Sequence, residues 1–454
     1  MGISTGPAWD RRTPRQQARF QDAALRRQVA DSLGPFSPYW RTVLRNAGIR
    51  VAQIDGRRAL AGIPATGERD LCPAGDPAAA AALVLQLDEA GWATHTDGAA
   101  LRRALGRRVV RPGAYRRQVM NAVRPVVYWL GGRHLDLPIA STRDDLDVVA
   151  RAGARAWRVL GLTPEDLLVS ALPQDGRLAA AVLPYVALGA GAPAVHAGPA
   201  GAVAALRALP AAVVAVDGAP ALRALGRLPA RVHTILTIGL DDLRPIADGR
   251  TVLRLWGPPD GRWLYPECRD GGFDAGLHTF PDLEIGQTVD PATGEARPDD
   301  AAGELVVTQL GVRGSALVRW RTGVLHGGIR LEPCPGCGRT VPRLGPDLDT
   351  TSLTPTVQVA EQRVSLDLRT VAGALAARSD LAGWQVRLVP DPRGGRPSAV
   401  VAVAPGTDGA MSTRAASTLC AQIAYDVQAL AGAAPSLVVL APELAGQPPR
   451  IVAR

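Results

Sequence analysis

The chain has 454 residues, of which 47% are hydrophobic, so it can bury a large core and form more than one domain. No apolar run reaches the roughly 18 to 20 residues that a membrane-spanning helix requires. The first residues, MGISTGPAWDRRTPRQQ, lack the apolar stretch of a signal peptide. The composition therefore predicts a globular cytoplasmic protein with no membrane partner.

The formal net charge of +9 rests on arginine alone, because the Lys+Arg count of 51 contains no lysine. Most of these arginines are scattered, and aromatic residues make up only 4%, which argues against a nucleic-acid partner. The densest run consists of Arg102, Arg103, Arg107, Arg108, Arg111, Arg116 and Arg117. Its spacing fits the solvated face of a helix followed by a loop, and a docking patch for an anionic partner is the alternative.

Residues 1–125 are predicted to be rich in helix, because apolar residues recur with helical spacing over Gln16–Leu33, Pro38–Ala47 and Ala78–Leu105. From residue 126 to 250 the pattern becomes α/β, with helical Arg143–Leu160 and Leu178–Leu188. The apolar runs between helices are predicted to be buried strands: Leu167–Leu172, Ala192–His196, Ala211–Val216 and Val232–Ile238. Strands alternating with helices indicate a parallel sheet.

Residues 251–345 are predicted to be rich in strands, with frequent glycine and proline. A new α+β pattern follows, with these predicted elements: helix Leu366–Ala377, strands Trp384–Val389 and Ser398–Val403, helix Ser412–Leu430 and strand Ser436–Leu440. The predicted fold class is therefore α/β. A large N-terminal domain of mixed parallel sheets and flanking helices (1–345) precedes a small C-terminal α+β domain (346–454).

The five cysteines do not form a disulfide framework, because their number is odd and they are not clustered as one. Cys334 and Cys337 lie in CPGCG, where proline and glycine make a tight turn that directs both thiols to one point, as a zinc site requires. Cys72 and Cys420 stand alone and are predicted to be ordinary core or surface residues.

Several segments resemble the phenylacetate-CoA ligase family of adenylate-forming enzymes. They are SPYWRTVLRNAG (37–48), LAGIPATGERDL (60–71), VDPATGEARPDDAAGELVVTQL (289–310), LVRWRTGVL (317–325) and EPCPGCGRTVPRLG (332–345). The last two are similar to the family segments IRYRTGD and EPCPCGRTHPRIG. The resemblance implies a C-terminal domain that acts as a lid, an aryl or acyl acid with CoA or a carrier protein as partners, and a homodimer.

The same resemblance adds two ligands to the zinc site. In PECRDGGFDAGLHTF, Cys268 and His278 fall where the family has a cysteine and a Gly-x-His pair that join the later cysteines. A set of three cysteines and one histidine leaves no open position, so the zinc would be structural. The alternative is that His278 is a satisfied surface histidine and Cys268 an unpaired thiol.

The phosphate loop of the family, rich in Ser, Thr and Gly and containing a lysine, corresponds here to WLGGRHLDLP. Gly131 and Gly132 are retained, but the hydroxyls and the lysine are absent. Arg133 and His134 could offer charge, although such residues in a loop are more often solvated. Binding of ATP or AMP is therefore doubtful at this loop.

WGPPD resembles the family segment in which an aromatic ring lies near the adenine and an acid binds magnesium. Trp256 could still stack, Gly257 is retained, and Asp260 offers a carboxylate that is one methylene shorter. The two consecutive prolines stiffen the turn. Magnesium binding therefore depends on a site that is only half preserved.

Two further positions depart from the family. After Arg321 the motif Arg-Thr-Gly-Asp ends in Val324, which cannot accept the two ribose hydrogen bonds. The C-terminal lysine that bridges the carboxylate and the α-phosphate is replaced by Gln447, a neutral amide. No residue is therefore assigned a catalytic role with confidence by sequence.

Three functions remain open from the sequence. The first is a homologue that has lost acid adenylation, a pseudoenzyme or partner protein in aryl or acyl acid or specialised metabolism. The second is an active carboxylate-CoA ligase or acyltransferase with altered catalytic residues. The third is a zinc-containing module that binds nucleic acid or protein, suggested by the cysteine turn and the charge of +9.

Overall fold

The fold is described by a computed structural model. The described residues are 9–72, 76–86, 88–89, 93, 98–132, 135–239, 241–291, 293–345, 348–349, 356–359, 362–365, 371, 374–389, 398–406, 412–431, 435, 437–445 and 450–453. None of the helices in these ranges is long and apolar enough to cross a membrane. The chain divides into two compact units: unit 1 comprises Met1–Thr288, Pro298–Thr322 and His326–Leu348, and unit 2 comprises Val289–Arg297, Gly323–Leu325 and Asp349–Arg454.

The helices of unit 1 begin at recognisable caps. Thr13 accepts a hydrogen bond from the Gln16 backbone at 3.3 Å, and the Gln16 side chain accepts one from the Thr13 backbone at 2.9 Å, with Pro14 in the first turn. The α-helices are α1 Pro14–Gln28, α2 Gly34–Phe36, α3 Pro38–Asn46, α4 Glu68–Leu71, α5 Gly98–Val110, α6 Pro112–Val123, α7 Arg143–Val159, α8 Leu178–Ala190, α9 Gly198–Ala208 and α10 Ala219–Ala224. A π-helical turn, Val29–Leu33, follows α1.

The predicted helix over Ala78–Leu105 is wrong as a single element. The described part contains a 3-10 helix, Pro77–Leu83, after which Val84 is extended and bridges to Ser315. Asp76 caps this short helix and Pro77 begins it. The helix ends where Val84 pairs with Ser315 as a β-bridge, so tertiary pairing overrides the helix propensity of the alanines. The remaining 3-10 helices of unit 1 are Trp9–Arg11, Val51–Gln53, Arg57–Gly62, Arg244–Ile246 and Phe273–Ala275.

A two-stranded antiparallel hairpin precedes the central sheet. Strand β1 (Pro125–Gly131) pairs with β2 (Leu137–Thr142), with Gly131 opposite Leu137. Thr142 then caps α7, because its hydroxyl accepts a hydrogen bond from the Asp145 backbone at 3.3 Å, while Asp145 accepts one from the Thr142 backbone at 2.8 Å. The hairpin and the helix are therefore joined by a fixed turn.

The central sheet has six strands in the order β4-β3-β5-β6-β7-β8. They are β3 Leu168–Ser170, β4 Ala194–His196, β5 Val213–Val216, β6 Thr234–Thr237, β7 Thr251–Trp256 and β8 Tyr265–Pro266. All neighbours are parallel except β7 and β8, which are antiparallel. All four residues of β5, VVAV, are buried, as expected for a parallel strand covered on both faces. The predicted parallel sheet is confirmed.

Helices α7 and α8 pack closely because each presents a glycine to the other. A Cβ on Gly153 would lie 2.3 Å from the Val186 Cα, and one on Gly189 would lie 1.7 Å from the Ala150 carbonyl oxygen. Neither position can carry a larger residue without separating the helices. A large apolar core lies where the sheet meets α9 and α10, and it includes Val214, Ile235, Ala202, Leu206 and Leu222.

Two further sheets follow the central one. Their strands are β9 Leu277–His278, β10 Glu284–Val289, β11 Gly303–Gln309, β12 Trp320–His326, β13 Ile329–Arg330, β14 Arg343–Leu344 and β15 Leu348–Asp349. One sheet has the order β10-β11-β12-β15, and the other, which is antiparallel, has the order β13-β14-β9.

The C-terminal part of unit 2 is a small α+β structure. Its elements are β16 Thr356–Val359, β17 Gln362–Ser365, β18 Leu381–Val389, β19 Ser398–Pro405, helix α11 Thr413–Ala431, β20 Leu437–Leu440, a 3-10 helix Pro442–Leu444 and β21 Arg450–Ala453. β16 and β17 form a hairpin, and the other strands form a sheet in the order β20-β19-β18-β21. The core includes Trp384, Val386, Val401, Ile423 and Val427.

This unit agrees with the predicted helix over Ser412–Leu430 and the strands before and after it. Of the predicted helix Leu366–Ala377, residues 366–370, 372 and 373 lie outside the described residues, while 371 and 374–376 are helical. Leu375 packs into the core of the unit with an exposed fraction of 1%.

Candidate nucleotide site and metal centre

The carboxyl ends of the central strands form the edge at which an open parallel sheet binds ligands. The chain passes from β3 outward to β4 and returns past β3 to β5, so the strand order reverses between β3 and β5. Ligands of such sheets bind outside the carboxyl ends at this reversal. Trp256 ends β7 at the same edge, and His196, whose Nδ1 lies 3.1 Å from the Ser170 hydroxyl, ends β4.

Gly131 and Asp260, predicted separately, lie against each other. A Cβ on Gly131 would come within 2.8 Å of both the Asp260 Oδ1 and the Ile139 Cγ1. Gly132 has a φ of +87°, and a Cβ there would meet the Leu135 carbonyl oxygen at 2.2 Å. Both glycines are therefore required by close packing. Arg133 and His134 lie outside the described residues.

Glu68, the first residue of α4, contacts this loop and was missed by sequence reasoning. Its carboxylate accepts a hydrogen bond from the Leu135 backbone N–H, and its Oε1 lies 3.0 Å from the Cβ position of Gly132. Backbone N–H groups of a phosphate loop must be free to bind phosphate oxygens. Here a carboxylate uses one of them, and it would repel a phosphate at the same place.

Asp260 is buried, with an exposed fraction of 4%, and its Oδ2 accepts a hydrogen bond from the Trp320 indole at 2.8 Å. Trp256 is also buried, and its ring lies 6.1 Å from that of Tyr265. Gly257 packs so closely that a Cβ would lie 2.3 Å from the Trp263 carbonyl oxygen. The segment WGPPD is thus built into the core.

Arg321 and Val324 lie in β12. Arg321 Nε donates to the Glu304 carboxylate at 2.8 Å, where Glu304 is buried and Arg321 is half-buried. The Arg321 backbone N–H donates to the Thr66 carbonyl oxygen at 2.8 Å, so the segment LAGIPATG reaches this strand. The Val324 side chain is fully buried. Gln447 lies outside the described residues.

Arg262, directly after WGPPDG, is a second residue that the sequence did not single out. Its guanidinium is fully buried and donates to the Ser141 hydroxyl at 3.1 Å and to the Ala140 and Ser315 carbonyl oxygens at 2.7 Å. Burial lowers the pKa of this arginine. Arg262 therefore connects three segments around the hairpin: its own, the end of β2 and the segment that contains Ser315. No local sequence pattern predicts this role.

The four residues predicted as zinc ligands meet at one point. The Sγ atoms of Cys268, Cys334 and Cys337 and a ring nitrogen of His278 all lie within 4.8 Å of one another. His278 has an exposed fraction of only 1%, so the alternative of a surface histidine is wrong. Cys72 is buried and Cys420 is half-buried, and neither joins the cluster.

Backbone geometry holds the cysteine turn in place. The Cys334 N–H donates to the Arg339 carbonyl oxygen at 2.8 Å, and the Gly338 N–H, at a φ of +68°, donates to the Cys334 carbonyl oxygen at 2.9 Å. β14 pairs with β9 through Arg343 and His278, which brings the histidine beside the turn. The two later cysteines and the histidine are therefore fixed by one small sheet.

Three thiols and one imidazole have the donor chemistry of a structural zinc site. The Cys337 Sγ lies 3.7 Å from the His278 Nε2, close to the ~3.6 Å edge expected for zinc with bonds of about 2.3 Å to sulfur and about 2.0 Å to nitrogen. The Gly271 N–H donates to the Cys268 Sγ at 3.3 Å. The hydrogen bond between the Cys268 and Cys337 thiols lowers the pKa of Cys337 and raises the pKa of Cys268.

The arrangement of strands and helices confirms the predicted fold class. No family model matches the sequence. No curated protein matches it either.

Solved structures of 2-hydroxyisobutyryl-CoA ligase share the fold over almost the whole chain. The thioesterification state, in complex with 2-HIB-AMP and CoA, is 16% identical, covers 100% of this chain and 94% of that one, and gives a TM-score of 0.60. An open conformation with the same ligands is 17% identical, with coverage of 97% and 92% and a TM-score of 0.60. The postadenylation state with 2-HIB-AMP is 15% identical, with coverage of 100% and 90% and a TM-score of 0.58.

Proposed function

We propose that this protein is a relative of the phenylacetate-CoA ligases that no longer adenylates acids. It would serve as a pseudoenzyme that binds an aryl or acyl acid, or as the partner of a ligase or carrier protein in specialised metabolism. The observation that carries the proposal is the absence of lysine from all 454 residues. No alternative alignment can supply the ammonium group that stabilises the charge developing during adenylation.

Three local features support the proposal. Glu68 occupies an N–H group of the hairpin loop, and Asp260 already accepts a hydrogen bond from Trp320. Val324 offers no acceptor for a ribose, which removes charged hydrogen bonds worth about 1.5 to 3 kcal/mol each. Phosphate, magnesium and ribose contacts would all be weakened in this chain.

ATP–pyrophosphate exchange with a panel of aromatic, branched and 2-hydroxy acids tests the proposal. The expected result is exchange no faster than in the absence of acid, while an active adenylate-forming ligase assayed in parallel exchanges rapidly. The variant Gln447→Lys should not restore exchange by itself, because the loop and ribose contacts remain altered. Exchange by the wild-type chain with any acid would refute the loss of adenylation.

Calorimetric titration with ATP and AMP examines binding separately from turnover. We expect no heat of binding for either nucleotide at concentrations up to about 1 mM, a limit that corresponds to about 4 kcal/mol of binding free energy. Micromolar binding of AMP would mean that the nucleotide site is intact despite Val324 and Glu68.

A second candidate is an enzyme that retains only the thioester-forming half-reaction, which does not use the same lysine. This function is favoured by the close approach of Asp260 to Gly131, because it brings together WGPPD and WLGGRHLDLP, two segments that correspond to family motifs. Incubation with synthetic acyl-adenylates and CoA tests this function. Thioester formation would establish it, and its absence across the panel of acids would eliminate it.

The four-residue cluster is proposed as a structural zinc site formed by Cys268, His278, Cys334 and Cys337. Bound zinc would cross-link the sheet β13-β14-β9 and supply no open coordination position. Metal analysis of the purified protein should find close to one zinc per chain, and less than about half an equivalent would exclude the site. Residues 346–454 are proposed as a lid domain, as in the resembling family.

A further inference from the structure

Helices α5 and α6 form a segment of unusual charge, here named the arginine hairpin (residues 98–123). Its sequence, GAALRRALGRRVVRPGAYRRQVMNAV, contains seven arginines and no acidic residue, so it carries most of the net charge of +9. The structure replaces the predicted helix and loop by two helices joined at a single residue, Arg111. None of the segments that resemble the ligase family includes this hairpin.

The inner side of the arginine hairpin is a small core of its own. Ala104, Tyr115, Val119 and Ala122 are buried between the helices. All seven arginines are exposed on the outside. Arg107 donates to the Gln118 side chain at 3.0 Å. The arginine hairpin contains no acidic residue to balance its seven positive charges, so these charges are available to a partner.

Exposed aliphatic side chains lie among these arginines. Val109 is 84% exposed and Val110 is 77% exposed, with Leu105 and Met120 also exposed at 42% and 39%. Solvation of charge alone does not account for two adjacent valines at the end of a helix. Exposed apolar side chains contribute to the free energy of binding when a partner covers them, by about 25 cal/mol for each Å² removed from water.

The mixture of side chains identifies the class of partner. Binding to nucleic acid depends on cations that contact phosphates, with stacking rings added for single strands, and four exposed aliphatic residues add nothing to phosphate contacts. A helix that lies in a membrane surface separates an apolar face from a charged face. On α5, Arg102 and Arg103 precede Val109 and Val110 by seven residues, about two helical turns, so charged and apolar side chains share one face. Arginine and apolar contacts together are typical of protein interfaces.

We propose that the arginine hairpin is a docking surface for an acidic protein. Carboxylates of the partner would pair with the exposed arginines, and its apolar side chains would cover Val109 and Val110. The charges would speed the encounter, and the valines would lengthen the lifetime of the complex. This role is independent of whether the adenylation chemistry is retained.

The test uses the full chain and three probes of defined chemistry. The first is a helical peptide of about 20 residues with glutamates on one face and leucines on the other. The second is a DNA duplex of mixed sequence, and the third is vesicles of phosphatidylserine and phosphatidylcholine. We expect the peptide to bind more tightly than the duplex or the vesicles at about 0.15 M salt, where Debye screening is about 8 Å.

Two variants and a matched control separate charge from apolar contact. Replacing Arg102, Arg103, Arg107 and Arg108 by Gln should weaken peptide binding by about tenfold or more. Replacing four exposed arginines elsewhere, namely Arg41, Arg45, Arg50 and Arg58, by Gln makes the same change in net charge and should alter binding by less than about twofold. The pair Val109→Ser and Val110→Ser should weaken binding about tenfold without changing the circular dichroism.

Three results would contradict a docking surface for an acidic protein. Tighter binding of the duplex, unaffected by the valine changes, would show a nucleic-acid surface instead and overturn the proposal. Preferential binding to vesicles that depends on the valines would show a membrane surface and overturn it as well. Equal losses in the hairpin and control variants, or no binding to any probe, would leave only a solvated face.

Discussion

At the scale of single residues, the motifs that resemble a nucleotide site have polar groups that are already engaged within the protein. Asp260 accepts a hydrogen bond from Trp320, and Arg321 donates to Glu304. Glu68 holds the Leu135 N–H of the hairpin loop. Each of these bonds would have to break before a nucleotide could replace it, and a buried group left unpaired costs about 1 to 3 kcal/mol. If nucleotide binding is lost as proposed, these residues would be kept for their contacts within the protein.

Glu284 gives a prediction about pH. Burial raises its pKa from 4.5 to about 8, and a hydrogen bond from Tyr265 offsets only part of that effect. The folded protein therefore keeps the proton over a range in which the unfolded chain releases it. This contribution to stability is complete below pH 4.5 and is lost as the pH rises towards 8.

The variant Glu284→Gln, which is neutral at every pH, should remove this loss. The difference in unfolding free energy between variant and wild type should shift in favour of the variant by a few kcal/mol between about pH 4.5 and pH 8. Urea unfolding at a series of pH values measures it. A difference that stays constant with pH would mean that the Glu284 pKa is ordinary in the folded protein.

Gly131 gives a prediction about packing. Gly131→Ala should destabilise the protein by about 1 to 3 kcal/mol, because the new methyl group would meet Asp260 and Ile139 at 2.8 Å. The matched control is Gly106→Ala, where the methyl group meets nothing within 4 Å in the middle of α5. That change should stabilise the helix by up to about 1 kcal/mol. Chemical unfolding of both variants checks the two opposite signs.

At the scale of elements, the antiparallel sheet β13-β14-β9 is too small to be stable alone, because each of its strands has only two residues. Bound zinc would therefore contribute to its stability. Cys334→Ser should abolish stoichiometric zinc and lower the melting temperature by several degrees. Cys420→Ser, which removes a half-buried thiol in α11, should keep the zinc. Metal analysis and thermal unfolding test both; equal zinc content in the two variants would exclude Cys334 as a ligand.

The elements that could be predicted from sequence are those that show their environment locally. The period of α7 and the apolar run of β5 reveal their buried faces, and the spacing of Cys334 and Cys337 reveals a turn. Glu68 and Arg262 could not be identified in this way. Their partners are distant in sequence, and a charged residue has the same local pattern whether it is solvated or buried. Cys268 and His278 carry no local signal of their own, so only the family resemblance adds them to the zinc site that the cysteine turn predicts.

At the scale of the whole molecule, the C-terminal part of unit 2 should unfold separately from the rest of the chain. The part of unit 2 from residue 349 has its own core around Trp384, Ile423 and Val427. We expect residues 346–454 produced alone to unfold cooperatively, with a midpoint within a few degrees of one transition of the full chain. Trp384→Ala should cost about 3 to 5 kcal/mol in both contexts. Calorimetry of the fragment and the full chain decides this, and a fragment without a cooperative transition would show that the core depends on the rest of the protein.

The proposed zinc site would also affect how the chain reaches its fold. Its proposed ligands come from three places along the sequence. A zinc ion bound by Cys268 and by the pair Cys334 and Cys337 would close a long loop before the surrounding sheet forms. The entropy of closing that loop would then be offset by metal coordination, with no need for an oxidised cross-link. The supply of zinc during synthesis would then limit how fast residues 268–337 fold from aggregation-prone intermediates.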